Sequence, residues 1–523
     1  MESTQSTGHP RRWAILGVLV VSLLVVVLDN TVLNVAMSTI ANPEHGLGAT
    51  QSELEWAINS YTLVFAGLLF TAGILADRLG RRNTLITGLV IFGAASLFSA
   101  YASSPEQLIA ARAVMGLGAA AVMPATLSII ANVFDPSERA RAIGVWAGAV
   151  GLAVAVGPVL GGVLLENFWW GSVFLINVPI VVAGVVLVLV LVPESKDPKP
   201  NRVDVPGVLL SIVGLTLLTY GVIKGGEDGF GETAAWSTIT VGLLVLVGFV
   251  IFQSRIEFPS LDVRLFKIRQ FSASIGILGL IFFAAMGSMF FGAFYLQLVR
   301  GYGPLASGAL FVPFAVGQMV FAPLSASMVK RFGPKAVSTA GLLLVSAGLS
   351  TWLLIGAETP IWVVGVAFFV MGVGMANVMP PATEAIMSAL PREKAGVGSA
   401  VSNTIRQLGG ALGVAVLGAV VSSAYRGHLG DAAAGLPPAA EEAARESVAG
   451  AYAVAAQAGP AGAELLNQAN SAFITGMHYA AVGTVAFALL GTLVAAIWLP
   501  GKNRTAAPAV ARFEDQDLAL ADA

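Results

Sequence analysis

Fourteen runs of about 20 apolar residues dominate this 523-residue sequence and restrict what it can fold into. A helix of that length spans the hydrocarbon core of a bilayer, where every backbone polar group must be satisfied internally. The chain is 56% hydrophobic and 11% charged, whereas soluble domains contain about 25% charged residues. Its mean hydropathy is +0.82. The sequence therefore predicts an all-α integral membrane protein.

The first apolar run follows Arg11 and Arg12, as in a signal peptide. No small-residue cleavage site follows it, and the apolar pattern continues to Ile40, so we interpret it as a retained span. The predicted spans are 13–40, 54–76, 84–101, 107–131, 141–165, 173–193, 205–224, 236–254, 271–299, 305–328, 336–355, 361–389, 396–424 and 472–499.

Basic residues distinguish the two sides of the membrane, because Lys and Arg concentrate on the cytoplasmic side. The side that carries both termini holds Arg11, Arg12, Arg78, Arg81, Arg82, Arg139, Arg141, Lys196, Lys199, Arg202, Arg264, Lys267, Arg269, Lys330, Arg331, Lys335, Arg392, Lys394, Lys502 and Arg504. The other side holds Arg300, Arg426 and Arg445, with Lys224 as a further candidate. We therefore expect both termini to be cytoplasmic.

The sequence also repeats itself. "VMGLGAAAVMPAT" (114–126) returns as "VMGVGMANVMPPAT" (370–383), and "DPSERA" and "GILADRLGRR" have the weaker echoes "LPREKA" and "ASMVKRFGPK". The first copy lies on span 4 and the second on span 12, which predicts two six-helix pseudo-repeats with a two-helix insert between them. The predicted regions are a cytoplasmic N-terminal tail 1–12, an N-terminal half 13–193, the insert 205–254, a C-terminal half 271–499 and a cytoplasmic tail 500–523.

The last external loop, 427–470, is rich in alanine and has good helix propensity. We predict either a helical cap or a solvated spacer, and the sequence leaves both open.

A charged motif, "GILADRLGRRNTL" (73–85), lies at the cytoplasmic end of span 2. An ordinary positive-inside loop would explain its basic residues. The combination of glycines, an acid and paired arginines favours a conformational latch, in which ion pairs form in one conformation only. The residues of this predicted latch are Gly73, Asp77, Arg78, Gly80, Arg81 and Arg82.

That motif resembles the signature between helices 2 and 3 of the major facilitator superfamily. Further stretches are similar to motifs of its fourteen-helix drug:proton antiporter branch: "LDNTVLNVAM", "LIAARAVMGLGAA", "GAVGLAVAVGPVLGG", "VFLINVPI", "YLQLVRGYGPLASGALFVP" and "NTIRQLGGALGVAVLG". The resemblance covers nearly the whole chain. It implies a multidrug efflux transporter that exchanges cytoplasmic drug-like compounds for protons by alternating access.

The resemblance also implies a bacterial inner membrane location and a chain that acts as a monomer, with no cofactor and no nucleic-acid partner. An enzyme is not expected, since the sequence has no nucleophile–base constellation, phosphate-binding glycine loop or metal-ligand set. Two other functions stay open. One is dedicated export of a single endogenous metabolite or antibiotic, and the other is a transport-inactive membrane sensor or lipid-handling scaffold.

Ionisable residues inside predicted spans are the candidates for proton coupling and substrate binding: Asp29, Arg112 and Glu384. We predict that Asp29 faces a polar cavity near a cation, since Arg112 lies at comparable depth. Arg112 could instead snorkel to the surface. Glu384 is either an intramembrane acid or an interfacial one. Glu53 and Glu55, at the outer mouth of span 2, are expected to be solvated.

The predicted polar residues of the cavity are Asn30, Asn34, Asn377, Gln318, Asn403, Arg406 and Gln407. Family members that export divalent cations carry acids in helices 10 and 13, where this chain has Gln318, Asn403 and Gln407. We therefore expect hydrophobic substrates that are monovalent cations, neutral or weakly acidic, with dications disfavoured. Arg406 is expected to pair with Glu384 or with lipid.

The motif on span 5 that resembles the antiporter signature has a glycine-rich face and a proline that favours a bend. We interpret it as architectural, at a rocking interface or simply for close packing. Its residues are Gly148, Gly151, Gly157, Pro158, Gly161 and Gly162.

Overall fold

A computed structural model describes residues 9–196, 204–228, 232–256, 259, 263–388, 395–434, 436–458 and 462–501. Within these residues the regular structure is helical, without strands. The α-helices are α1 (Arg12–Ala41), α2 (Gln51–Leu79), α3 (Arg81–Ala100), α4 (Pro105–Val133), α5 (Pro136–Asn167), α6 (Ser172–Leu175), α7 (Asn177–Leu191), α8 (Val205–Asp228), α9 (Thr233–Gln253), α10 (Arg269–Phe294), α11 (Pro304–Ala309), α12 (Val312–Phe332), α13 (Pro334–Ser350), α14 (Ile361–Ser388), α15 (Ala395–Leu429), α16 (Pro438–Glu446), α17 (Val448–Ala458) and α18 (Gly462–Trp498).

Twelve spans in the described residues are long and apolar enough to cross a membrane. The two parts of α2, Gln51–Leu69 and Thr71–Leu79, add a thirteenth if they form one span. Helix α5 has 32 residues, covers the predicted span 141–165 and is not among these twelve. An all-helical chain with many spans is therefore confirmed, but the structure does not establish the predicted count of fourteen.

The contacts divide the chain into two compact units. Unit 1 is Met1–Thr216 with Leu296–Ala309, and unit 2 is Leu217–Tyr295 with Leu310–Ala523. The division cuts through α8, which lies in the predicted insert, and it groups α11 with the N-terminal helices. The units therefore do not follow the predicted repeat boundaries.

In unit 1, α1 packs against α5 and α7, and α2 packs along α4. Helix α3 packs between α4 and α7. In unit 2 the same pattern returns with α10, α12, α13, α14, α15 and α18 in the places of α1, α2, α3, α4, α5 and α7. The helix order and the helix packing therefore repeat together, in the register that the sequence echo indicates.

The turns at the charged motif and its echo also match. Gly80 joins α2 to α3 with φ +115°, and Gly333 joins α12 to α13 with φ +86°. Residues other than glycine rarely adopt such a backbone conformation. The weak echo between "LGRR" and "FGPK" therefore corresponds to the same sharp turn, with glycine at the same place.

The external loop predicted at 427–470 is mostly helical where the structure describes it. Helix α15 continues to Leu429, α16 and α17 follow, and α18 begins at Gly462. Tyr425 holds the loop by donating a hydrogen bond to the carbonyl oxygen of Ala444 at 2.9 Å. Helix α17 packs against α16 and α18, so this segment is a packed helical structure rather than an extended spacer.

Candidate functional site

A buried ion pair between Asp29 and Arg112 lies inside unit 1, joining α1 to α4. Arg112 Nη1 donates to Asp29 Oδ2 in a short contact. The Asp29 residue is 3% exposed and Arg112 is 0% exposed. Charges inside a membrane bundle are costly unless they are paired, and they usually mark ion or substrate pathways. This pair is therefore the leading candidate for the functional site.

Arg112 is anchored by groups other than the carboxylate. Its Nε donates to the carbonyl oxygen of Ala57 at 3.0 Å, and its Cζ lies 4.3 Å from the centre of the Tyr61 ring. Both partners belong to α2, which packs along α4. Arg112 therefore does not snorkel, and its position does not depend on Asp29 alone.

Asp29 has a second partner on α7. Asn177 Nδ2 donates to Asp29 Oδ1 at 3.0 Å and lies 3.0 Å from Ser96 Oγ on α3. Ser96 in turn donates to the carbonyl oxygen of Phe174 at 2.8 Å. All of these polar groups are buried. The carboxylate therefore sits where α1, α3, α4 and α7 meet.

The two asparagines predicted on α1 lie beside this pair. Arg112 Nη2 is 3.5 Å from Asn30 Oδ1, at the limit of a hydrogen bond. Asn34 lies one turn further along and donates to the carbonyl oxygen of Asn30 at 3.0 Å. Both side chains are half-buried. Asp29, Asn30 and Arg112 are thus brought together, with Asn34 on the same helix.

The predicted polar residues of unit 2 are less connected. Arg406 Nη2 donates to Asn403 in a short contact, and its Cζ is 5.7 Å from the centre of the Phe282 ring. Gln318 and Gln407 are half-buried on α12 and α15.

Two further residues of unit 2 lie on α14. Asn377 is 4% exposed and donates to the carbonyl oxygen of Val373 at 2.9 Å. Asn377 lies against α13, because a Cβ built on Gly341 of that helix would be 3.0 Å from the Asn377 Cβ. Glu384 is exposed near the end of the helix. Within the described residues no ion pair joins Glu384 to Arg406, so the expected pairing of these two is not seen.

The expectation that Glu55 is solvated is wrong. The residue is 2% exposed and accepts a hydrogen bond from Gln51 Nε2 at 3.3 Å. Glu53 instead caps α2, by accepting from the Thr50 backbone N–H at 2.8 Å. Both acids lie in the first two turns of α2, at a similar depth along the chain, but only Glu55 is buried.

In the predicted latch, Asp77 pairs with Arg81, one turn along the chain. Arg81 Nε donates to Asp77 Oδ1 at 3.0 Å. Gly73 packs against Pro124, to which a Cβ built on the glycine would come within 3.6 Å. Arg78 lies in the last turn of α2. The charged groups of this motif therefore gather around the turn between α2 and α3.

Glu194, beyond the end of α7, completes this cluster. Its carboxylate accepts from the backbone N–H groups of Arg82 and Asn83, each at 3.2 Å. The Arg81 N–H donates to the carbonyl oxygen of Ser195 at 2.9 Å. The first turn of a helix has free N–H groups that a side chain normally caps. Because Gly80 has no side chain, residues 194–195 supply the cap for α3.

The glycines of α5 permit close helix contacts. A Cβ on Gly157 would overlap Thr31 of α1, and one on Gly162 would overlap the backbone of Leu305 in α11. A Cβ on Gly161 would lie 3.0 Å from Val32. Pro158 is buried inside the helix. Gly148 and Gly151 belong to α5, in a part whose side-chain surroundings are not described.

Sequence reasoning missed several of these residues. Asn177 stands in the quoted stretch "VFLINVPI" and was a visible signal, as an amide within an apolar run. Glu194 follows a proline at the end of span 6, and nothing in its neighbourhood indicates a partner on α3. Among the described residues, no group of three or more His, Cys, Asp or Glu residues could hold a metal ion.

A buried ion pair within a bundle of membrane-spanning helices is typical of membrane transporters. The chain belongs to the Major Facilitator Superfamily, whose family model matches residues 19–414. The sequence resemblance to this family is thereby confirmed.

Relatives of known name extend over most of the chain. It is 38% identical over 486 residues to the multidrug efflux pump LfrA of Mycolicibacterium smegmatis, covering 92% of this chain and 95% of the relative. It is 33% identical over 416 residues to the tetracenomycin C resistance and export protein of Streptomyces glaucescens, covering 79% and 76%. It is 32% identical over 416 residues to the methyl viologen resistance protein SmvA of Salmonella typhimurium, covering 79% and 83%.

The fold is also found in solved structures. A bacterial homologue of the human lysosomal transporter Spinster, in an inward-facing and unoccupied conformation, superimposes with a TM-score of 0.65 at 19% identity. The match covers 94% of this chain and 98% of that chain. At this identity the likeness establishes the fold alone.

Proposed function

We propose that this protein is a multidrug exporter of the bacterial plasma membrane that exchanges hydrophobic compounds for protons. In this proposal it acts as a monomer with fourteen spans and both termini in the cytoplasm, and it needs no cofactor. The export of drugs is supported by relatives named as efflux and export proteins over most of the chain. The observation that carries the proton coupling is the buried ion pair of Asp29 with Arg112.

The ion pair provides a group whose charge can change during transport. Protonation of Asp29 removes the negative partner of Arg112, while the carbonyl oxygen of Ala57 and the Tyr61 ring still hold the guanidinium. An arginine stays charged throughout. Uptake of a proton therefore leaves a buried, uncompensated cation, which favours a conformation that gives it water or another partner.

The same carboxylate couples proton and drug by competition. A cationic substrate that approaches Asp29 is attracted by the ionised carboxylate, and a proton on the carboxylate removes that attraction. Two ligands that exclude each other from one site give exchange without touching each other. A neutral substrate would be coupled through the conformational change instead.

In this proposal, a cationic side chain in unit 2 determines which substrate charges are accepted. Arg406 is a second cation within a span, and its recorded partners among the described residues are a neutral amide and an aromatic ring. It disfavours dications and tolerates weakly acidic groups. Methyl viologen is a dication, and the relative SmvA is named for resistance to it. The expected exclusion of dications is therefore the part of the proposal that most needs a test.

The test of coupling is Asp29→Asn in proteoliposomes. The substitution keeps size and polarity but cannot take up a proton, so dye uptake driven by a pH gradient should be abolished. Asp29→Glu should keep part of it, with a shifted pH optimum. Glu384→Gln should do less harm, because that side chain is exposed.

The matched control is Glu106→Gln, which removes an exposed acid at the start of α4. Its uptake should equal that of the unmodified protein. If Asp29→Asn still concentrates the dye in a way that an uncoupler abolishes, coupling resides elsewhere, and Glu384 becomes the next residue to replace.

A dedicated exporter of one compound is the second candidate function. It is favoured by relatives named for single antibiotics, such as the tetracenomycin C protein and the puromycin resistance protein of Streptomyces alboniger. A panel of dyes and antibiotics in an efflux-deficient host, with and without an uncoupler, separates the two. Protection against several unrelated compounds supports the multidrug exporter, and protection against one supports the dedicated exporter.

A further inference from the structure

We propose that a recess at the cytoplasmic end of unit 1 binds the head group of an anionic phospholipid. The recess lies between the residues before α1, the start of α3 and the end of α7. It is an open groove with a volume of about 590 Å³. We call it the basic recess, and its lining residues are His9, Pro10, Arg11, Arg82, Leu189, Val190, Leu191, Val192 and Pro193.

The charge of the basic recess is one-sided. Arg11 and Arg82 line it together with His9, and no acid is among its described lining residues. The arginines beside these two are already paired. Arg12 Nε donates to Glu138 Oε2 at 2.6 Å, and Arg81 Nη2 lies 2.9 Å from Asp77 Oδ1.

Arg82 is less well satisfied than its neighbours. Its Nε is buried without a hydrogen-bond partner among the described residues and lies 3.9 Å from Glu194 Oε2. Both Glu194 oxygens are occupied by the backbone N–H groups that start α3. No described ion pair involves Arg11, which is exposed. The Arg82 side chain is 30% exposed, so its exposed part and the exposed Arg11 can donate to the oxygens of a phosphate.

The opposite wall selects a lipid rather than a free anion. Leu189 and Val190, at the end of α7, are 55% and 69% exposed. A side chain so placed on a membrane-spanning helix contacts acyl chains. A basic site beside an apolar helix end at the cytoplasmic surface matches a phosphodiester attached to two acyl chains, and basic pockets between spans are known to bind such head groups. This proposal rests on the membrane location and on the cytoplasmic termini proposed above, and it holds whether or not the protein exports drugs.

The experiment is a titration of the purified full chain in detergent with dioleoyl phosphatidylglycerol, followed by native mass spectrometry, with dioleoyl phosphatidylcholine as the neutral comparison. Phosphatidylglycerol should bind more tightly. Arg11→Gln should weaken its first binding step about fivefold, the effect of about 1 kcal/mol per basic residue near a lipid surface. The matched control is Arg269→Gln, which removes an exposed arginine at the start of α10, outside the basic recess, and should weaken this step less.

Two further measurements separate the sources of the phosphate. Val190→Ser should weaken lipid binding but should not change the binding of inorganic phosphate. Millimolar inorganic phosphate should not displace the lipid. Equal binding of the two lipids, or equal effects of Arg11→Gln and Arg269→Gln, would overturn the proposal. Displacement by inorganic phosphate alone would replace it with a free-anion site.

Discussion

Removing either member of the Asp29–Arg112 pair should destabilise the fold, and removing both should cost much less than the sum. Taking one partner from a buried ion pair typically costs about 3–5 kcal/mol, since the other charge stays buried without compensation. In Asp29→Asn, Arg112 keeps the carbonyl oxygen of Ala57 and the Tyr61 ring, so we expect about 3 kcal/mol, the lower end of that range.

In Arg112→Gln, Asp29 keeps its hydrogen bond from Asn177, and it can take up a proton. The loss should therefore be about 3–5 kcal/mol at pH 8 and should shrink toward pH 5. The loss in Asp29→Asn should be the same at both values, because an arginine does not lose its proton. The double variant contains no buried charge at this site, so it should lose no more than Asp29→Asn, about 3 kcal/mol, which gives a coupling energy of at least about 3 kcal/mol.

The free energy of unfolding can be measured by SDS titration in mixed micelles, followed by the fluorescence of the nine tryptophans. The control cycle uses Glu441→Gln and Arg445→Gln, a half-exposed pair on α16 with an Nε–Oε1 distance of 3.0 Å. Exposed pairs contribute about 0–1 kcal/mol, so its coupling should be small. Additivity within about 0.5 kcal/mol at Asp29 and Arg112 would refute the reasoning, because the two charges would then not depend on each other.

Three other predictions concern transport and folding. Asp77→Asn should cripple turnover in proteoliposomes while dye binding, measured by fluorescence anisotropy, stays intact; equal losses of both would argue against a latch. Gln318→Asp or Asn403→Glu should improve export of dicationic dyes without improving that of monocationic ones, and unchanged dication export by folded variants would show that the electrostatic interpretation is wrong. Gly80→Ala should lower the free energy of unfolding by about 1–3 kcal/mol, because φ is +115° and the new Cβ would lie 2.6 Å from Glu194, whereas the control Gly17→Ala has open space; equal effects would contradict this.

The sequence contains enough information to predict the class of fold, because bilayer thickness fixes the length of each apolar run. A helix is found at each predicted span in the described residues, including α5. The interruptions were not predicted. Helix α6 is separated from α7, and α11 from α12, within runs that the apolar pattern predicts as single spans. Apolar composition reports depth in the membrane but not the continuity of a helix.

The residues of the candidate site could be predicted only in part from the sequence, for a related reason. Asp29 and Arg112 could be selected because charge inside a span is costly and therefore rare. Asn177 carries no charge and is therefore not selected on that ground, although it holds the carboxylate. Glu55 was expected to be solvated but is buried. Sequence position gives the depth of a residue in the membrane and not the direction in which it faces on its helix. The partners of buried polar groups depend on helix rotation, which the packing of neighbouring helices decides.

The cap that Glu194 provides for α3 also has a consequence for the order of events during synthesis. Arg82, in the first turn of α3, and the carboxylate that caps it are separated by 112 residues. At about 5–20 residues per second, the ribosome needs roughly 6–22 seconds to make the chain between them, so the beginning of α3 waits that long for its partner. During this interval the Gly80 turn has no side chain of its own to satisfy the free N–H groups, and water at the membrane surface must do so. The connection between the second and third spans thus becomes fully formed only after the sixth span has left the ribosome.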